Sequence, residues 1–308
     1  MTTPSSVRIT SPGDLVAMVA CTLTFHPSES LVLVSFAGGS TRMGPVLRTD
    51  LPGVGEIESA TAEAVRALPA EYRHSALLVV VSRDPREDVF RDARLVLTAA
   101  GVKVTGAIHT TGTRSGDRWR CLDHGCGDAG TVPEPHPTVA AHMAWTEQVM
   151  LPDREAIEQT LTPVDGVTLA RRAQLLTKHT TLTTGVPASL AATVAEYHAR
   201  HQLDDELVVR LIAALTDQRA VVEQLREHTS QIRVVLESLV RETPAPWSAK
   251  PAAYLALAAL LHGDGAHASV AAERATTADP AALLPRLVSE VAASAATPDT
   301  IRGLLTRF

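Results

Sequence analysis

Aromatic residues are scarce in this chain: four Phe, three Trp and three Tyr, 3% of the sequence. A core must therefore be packed from Ala, Val and Leu, and few rings are available to stack nucleobases. Lysine is almost absent, at Lys103, Lys178 and Lys250 only, so arginine carries nearly all the positive charge. With the abundance of Ala, that usage suggests a GC-rich genome. The net charge is -6 and no basic stripe emerges, which disfavours nucleic acid as a partner. Three cysteines (Cys21, Cys121, Cys126) are too few for a disulfide framework and point to a reducing compartment. No segment reaches the roughly 18 to 20 apolar residues of a membrane span. Residues 1–12 also lack the apolar core of a signal peptide. The expectation is a cytoplasmic protein without membrane contact. Two catalytic signatures are missing as well. No Gly-x-x-x-x-Gly-Lys loop cradles phosphate, and no Gly-x-Ser-x-Gly elbow presents a serine.

What is present is a globular chain, 45% hydrophobic and 20% charged over 308 residues, enough for one large domain or two ordinary ones. Ser11-Pro12-Gly13-Asp14 reads as a helix start, with Ser11 capping and Asp14 at the positive end of the dipole. Strands are expected at 31–36, 43–49, 76–81 and 102–109, with a short one at 119–122. Ala37-Gly38-Gly39-Ser40 reads as the first turn. Helices are expected at 56–68 and 86–100, the second ending at Gly101. This order describes an α/β domain over residues 1–130, a mixed sheet of about five strands with antiparallel edges. Gly- and Pro-rich residues 123–137 read as a loop or linker. An α-helical domain follows over 131–308, with helical periodicity at 138–150, 153–161, 167–178, 188–201, 204–217 and 220–242. Arg171-Arg172 reads as ordinary surface charge. Between 251 and 282, Gly263, Ala268, Ala275 and Pro280 fall at the spacing of a tetratricopeptide hairpin. One such unit is too few for a solenoid and reads as a packing element.

Several of these residues together resemble an actinobacterial family known as domain of unknown function 4192. They are Ser11-Pro12-x-Asp14-Leu15, Phe25-His26-Pro27-x-Glu29-Ser30-Leu31-Val32 and Arg48-x-Asp50-Leu51-Pro52. The Cys121–Cys126 loop followed by Pro133, and the run 260–266 with its close at Asp279-Pro280, complete the pattern. The resemblance covers almost the whole chain and implies an architecture but no reaction. Members often carry a Cys pair at the end of that loop, where this chain has Cys126-Gly127.

Strand direction brings separated motifs to one edge. The entry to the first strand and the exits of the second, third and fourth should gather His26, Glu29, Ser30, Arg48, Asp50, Arg83, Asp84 and His109 at the carboxyl ends of parallel strands. That is the usual ligand side of such a sheet. In a catalytic reading His26, Ser30, Asp50, Asp84 and His109 do chemistry while Glu29, Arg48 and Arg83 bind ligand. A nucleophilic version pairs Ser30 or Ser28 with His26 or His109. The same residues also read as caps and turns: Ser30 bonding backbone, Asp50 bracing Leu51-Pro52, Asp84 capping the helix after Pro85. Cys121, His124 and Cys126 are zinc-type ligands at a spacing that fits no common finger. Zinc is thus the one cofactor to test, and a loop Cys pair without metal is the alternative. The leading expectation is a non-catalytic interaction or regulatory factor with a protein partner. The alternative is a hydrolase or small-ligand enzyme at the polar edge.

Overall fold

The computed structural model describes residues 8–38, 42–145, 148–182 and 189–306. The expected turn at Gly39-Ser40 lies outside them. The chain forms two compact units, up to Ala156 and from Ile157 onward.

The first unit opens with helix α1 (Pro12–Leu23). Ser11 Oγ accepts the Asp14 N–H at 3.1 Å, the cap expected from the sequence, and Asp14 accepts the Ser11 N–H at 2.9 Å, which makes the pair a reciprocal capping box. Then come β1 (Ser30–Phe36), β2 (Met43–Asp50), α2 (Ile57–Ala67), β3 (Ser75–Val81), α3 (Glu87–Ala99), β4 (Lys103–Thr110), β5 (Arg118–Cys121), β6 (Ala129–Thr131) and α4 (Pro137–Trp145). The strands make one mixed sheet, in the order β2-β1-β3-β4-β5-β6. Only β3 and β4 pair in parallel, joined through α3; the other neighbours are antiparallel. β1 is an interior strand, between β2 and β3, and is buried along nearly its whole length. α2 and α3 cover one face, where Ile57, Val65, Val89, Ala93 and Leu97 close on Leu31, Leu33, Ala76, Leu78, Val80 and Ala107. The alternate residues Val32, Val34 and Val79 are equally buried on the other face. Toward the β5–β6 end, α1 approaches closely: a Cβ at Gly13 would stand 2.8 Å from Trp119 Nε1 and 3.0 Å from Thr131 O.

The sixth strand falls in the Gly- and Pro-rich stretch expected to be a linker. It is short and exposed, and Gly130 allows the Trp119 ring to lie against it.

The second unit is helical. α5 (Arg154–Thr160) straddles the boundary. α6 (Gly166–Leu182), α7 (Leu190–Arg200), α8 (Asp205–Ala214), α9 (Gln218–Glu227) and α10 (Thr229–Glu242) follow. They lead to α11 (Ala249–Leu261), α12 (Gly265–Ala278), α13 (Leu283–Ala293) and α14 (Pro298–Leu305). The helix expected at 220–242 is two helices, broken at His228, whose φ of -135° and ψ of 39° leave the helical region. α11 is the central element, buried almost all round and packed by α10, α12, α13 and α14. Its Ala252, Ala253, Ala256 and Ala259 are almost wholly buried, small side chains on an element packed on all sides. α11 and α12 form the tetratricopeptide-like hairpin. They turn at Gly263, whose φ of 74° is the left-handed conformation that glycine adopts without a Cβ penalty. Ala268 and Ala275 are fully buried in it, as their spacing implied.

Arg172 corrects the surface reading of the Arg171-Arg172 pair. Its side chain is 4% exposed and ties three segments together. Its Nε donates to Asp205 Oδ1 at 3.0 Å, its Nη1 to the Glu242 carboxylate at 2.8 Å, and its Nη2 to Leu203 O at 2.7 Å. Arg171 stays on the surface beside the same Asp205. Among the described residues no helix is long and apolar enough to cross a membrane.

Candidate functional site

The register places Ser30 opposite Asp50 on one side and Val81 on the other, and Val81 opposite Thr110. The entry to β1 and the exits of β2, β3 and β4 therefore share one edge. Glu29 joins them. Its carbonyl accepts the Leu51 N–H at 2.7 Å, and its carboxylate accepts the Arg83 N–H at 3.0 Å. To do both, its backbone takes φ = 39°, a conformation rare for a residue with a side chain.

The sheet then divides the edge residues between its two faces. Ser30, Arg48 and Asp50 lie on the face of Val32, because directly paired residues point the same way. There Ser30 Oγ donates to Ser28 O at 2.7 Å and accepts from Arg48 Nε at 2.8 Å. Arg48 Nη2 meets Asp50 Oδ1 at 2.5 Å. His109 alternates with Ile108 and shares the face of Ala107, Val80 and α3. Its Nε2 lies 3.0 Å from Ser82 O, and Ser82 Oγ donates to Asp84 O at 2.7 Å. Ser30 and His109 are thus on opposite sides of the sheet.

His26 belongs to a third environment. Its Nδ1 lies 2.9 Å from Thr113 Oγ1 in the β4–β5 connection, close to Arg114 and Asp117. Ser28 is exposed. Burial pushes the His26 imidazole below its ordinary pKa, and Arg114 adds to this against Asp117. His109 is also pushed down, first by burial and then by Arg120, while the Ser82 carbonyl, Asp84 and Glu29 pull the other way. Both rings are therefore biased toward the neutral form.

Residues outside the expected set complete the edge. Arg120 sits directly across from His109 in the β4–β5 ladder. Its Nη2 meets Glu87 Oε1, at the start of α3, at 3.0 Å, and its Nε is enclosed without a hydrogen bond among the described residues. Arg86 holds Asp88 through three hydrogen bonds and reaches Pro52 O at 3.3 Å. The signal for Arg120 was available: an antiparallel hairpin from β4 fixes which β5 residue faces His109 once its turn is counted. Ser82, a small polar residue between Val81 and Arg83, gave no comparable signal.

Two clefts lie elsewhere. One of about 250 Å³ is lined by Thr10, Asp14, Met18, Cys21, Glu134 and His136, and none of the expected edge residues reaches it. Burial pushes the Cys21 thiol up. The other, about 470 Å³, lies in the helical unit among Leu225, Thr229, Leu261 and Arg302.

At the opposite end of β5, Cys121 and Cys126 flank one turn, and burial, with Cys126 nearby, raises the Cys121 thiol above its ordinary value. Cys121 Sγ is 4.0 Å from Asp123 Oδ2. His124 does not complete a ligand set: among the described residues no three His, Cys, Asp or Glu side chains are grouped to hold a metal ion.

The most perturbed carboxylate is Asp264, on the tetratricopeptide-like hairpin. It accepts the His267 N–H as the cap of α12 and lies 3.0 Å from Arg233 Nη2 and 2.7 Å from His267 Nδ1. Burial alone would raise it, yet His267 and Arg233 together hold it down at about 2. The Gly263-Asp264-Gly265 turn carried this signal in the sequence, although the two basic partners come from α10 and α12.

No curated protein and no solved structure matches the chain. One family does, over residues 12–299, described as a domain of unknown function (DUF4192). The match spans both units, from the capped start of α1 to the first turn of α14, and the chain belongs to that family.

Proposed function

We propose that this protein works by binding rather than by catalysis, as a cytoplasmic interaction or regulatory factor of an actinobacterial cell. Its partner is a protein rather than nucleic acid or a membrane. The observation that carries the reading is how the polar edge is used. Ser30 is held by Ser28 O and Arg48, Glu29 by two backbone N–H groups, and His109 by Ser82 O. The only serine within the β1 entry that is buried lies across the sheet from the buried histidine, so Ser30 and His109 do not form a nucleophile–base pair. The large Ala- and Leu-rich helical unit and the net charge of -6 support a protein partner over a polyanion.

One observation favours a second reading, a hydrolase or small-ligand enzyme at the same edge. Among the described residues, Arg120 Nε is enclosed and without a hydrogen bond beside a neutral-biased His109, at the carboxyl ends of the two parallel strands. A ligand oxygen placed there would take that donor.

The test uses the full chain immobilised in host extract, with any enriched protein re-expressed and titrated by calorimetry. The expected result is a saturable complex whose affinity is unchanged by His109→Gln and Ser30→Ala. Turnover of a panel of phosphate and acyl esters, abolished by His109→Gln, would overturn the binding reading and establish the second.

A further inference from the structure

Two of the chain's three cysteines lie at the end of the β5–β6 hairpin. β5 ends at Cys121, whose N–H donates to Asp128 O at 2.8 Å, one step beyond the Arg120–Ala129 pair. The chain then reverses through Asp123-His124-Gly125-Cys126. The Cys126 N–H closes the turn on Asp123 O at 3.0 Å, and Gly125 takes φ = 76° at the third position, where glycine is the natural occupant. The reversal turns Cys126 back toward Cys121 across the end of one hairpin, near enough to help raise its thiol. The turn is anchored as well. Asp123 Oδ1 accepts from Arg94 Nη1 at 2.9 Å and Oδ2 from the Ala107 N–H at 3.3 Å, which ties it to α3 and β4. Both thiols are partly exposed, whereas Cys21 is buried in α1.

We propose that Cys121 and Cys126 are a reversible dithiol–disulfide couple, a redox modification site on the hairpin. The oxidant is a low-molecular-weight disulfide. The thiolate of one cysteine attacks a sulfur of that disulfide, breaks its S–S bond and releases one small thiol. The second cysteine's thiolate then attacks the protein sulfur of the mixed disulfide and releases the other small thiol. The protein loses two protons and two electrons and gains one S–S bond, and a reducing dithiol reverses both steps. The loop enclosed is only residues 121–126, so the bond restricts little of the unfolded chain. An accessible bond closing so short a loop belongs to the labile class rather than the structural one. A couple of this kind is compatible with a reducing compartment, where disulfides are transient.

The test equilibrates the full-length protein with oxidised glutathione, quenches in acid, and counts alkylated thiols after denaturation. Reduced protein should label at three cysteines and oxidised protein at Cys21 alone, with the peptide holding residues 121–126 lighter by two hydrogens. Dithiothreitol should restore all three labels. Cys126→Ser should leave Cys121 labelled or carrying glutathione, with no intramolecular link. Three results would overturn the proposal: all three thiols still labelled after equilibration, a Cys121 or Cys126 link between two chains, or stoichiometric zinc that protects the pair until chelated.

Discussion

The sheet unit and the helical unit both pair arginine with carboxylate, but they place the pair differently. At the sheet edge Arg48 meets Asp50 with the carboxylate 80% exposed. In the helical unit Arg172 is almost wholly enclosed by Asp205, Glu242 and two backbone carbonyls, and Asp264 is 3% exposed between Arg233 and His267. Water screens the first kind of pair, and its strength stays small. It reaches the second kind far less, so losing one partner leaves a charge or a carbonyl poorly compensated. The unit that displays its polar residues is therefore the one free to vary in what they touch, while the buried networks serve the helix packing. The perturbed Asp264 belongs to this second group, which is why a strong pKa shift there does not mark a site.

The comparison breaks first, if it is wrong, at Arg172. Arg172→Met keeps much of the stem volume and removes every donor. We expect a loss of roughly 3 kcal/mol, toward the low end for a broken buried pair because Asp205 and Glu242 can partly rehydrate. Urea unfolding of the full chain checks it. A loss below about 1 kcal/mol would put Arg172 in the same class as Arg48.

Asp264 sharpens the contrast through pH. Its folded value of about 2 lies below the ordinary 3.8. The stabilisation is therefore complete above the unfolded value and disappears as pH falls through the folded one. It amounts to roughly 2 kcal/mol. Asp264→Asn should lie about that far below the parent protein at neutral pH and converge with it near pH 2. A gap that stays constant over that range would mean the carboxylate's charge contributes nothing and only its cap to α12 matters.

A third effect belongs to the sheet unit and is steric. Gly13→Ala puts a methyl 2.8 Å from Trp119 Nε1 and 3.0 Å from a backbone oxygen. The rigid ring and the β6 backbone must give way, at a cost of about 1 to 3 kcal/mol. The Trp119 fluorescence should shift with it; an unchanged spectrum and stability would show that α1 can slide.

Much of this fold was legible because local signals agreed. The Ser11-Pro12-Gly13-Asp14 helix start, the apolar run Ala76–Val81 and the Gly101 stop each fixed an element close to where it lies. The failures have physical causes. β6 carries no apolar alternation, being held by the ladder and by Trp119 rather than by burial. The break at His228 is hidden because Val221, Leu225, Ile232 and Leu236 keep one apolar face running through it. Arg172 is distinguished from Arg171 only by helix phase: it shares a face with Leu176, four residues on, which is buried too. At the edge, strand direction was enough to gather the residues, but not to say which face each took. Face depends on register, and register here passes irregularities at Val34/Phe36 and Ala76/Leu77.

The smallest effect is the most discriminating one for the edge. Asp50→Ala removes an ion pair whose carboxylate stands in solvent, while Arg48 keeps its bond to Ser30 Oγ. We expect a change of at most about 0.5 kcal/mol, vanishing in about 1 M salt as exposed pairs do. The parallel change Ser30→Ala strips a fully buried hydroxyl that serves both Arg48 Nε and Ser28 O, and should cost about 1 kcal/mol, independent of salt. If instead Asp50→Ala is the costlier of the two and its cost survives salt, then the edge is a braced network like that around Arg172. Its residues would then be fixed by stability, and a search for a ligand should move to the cleft beside α1.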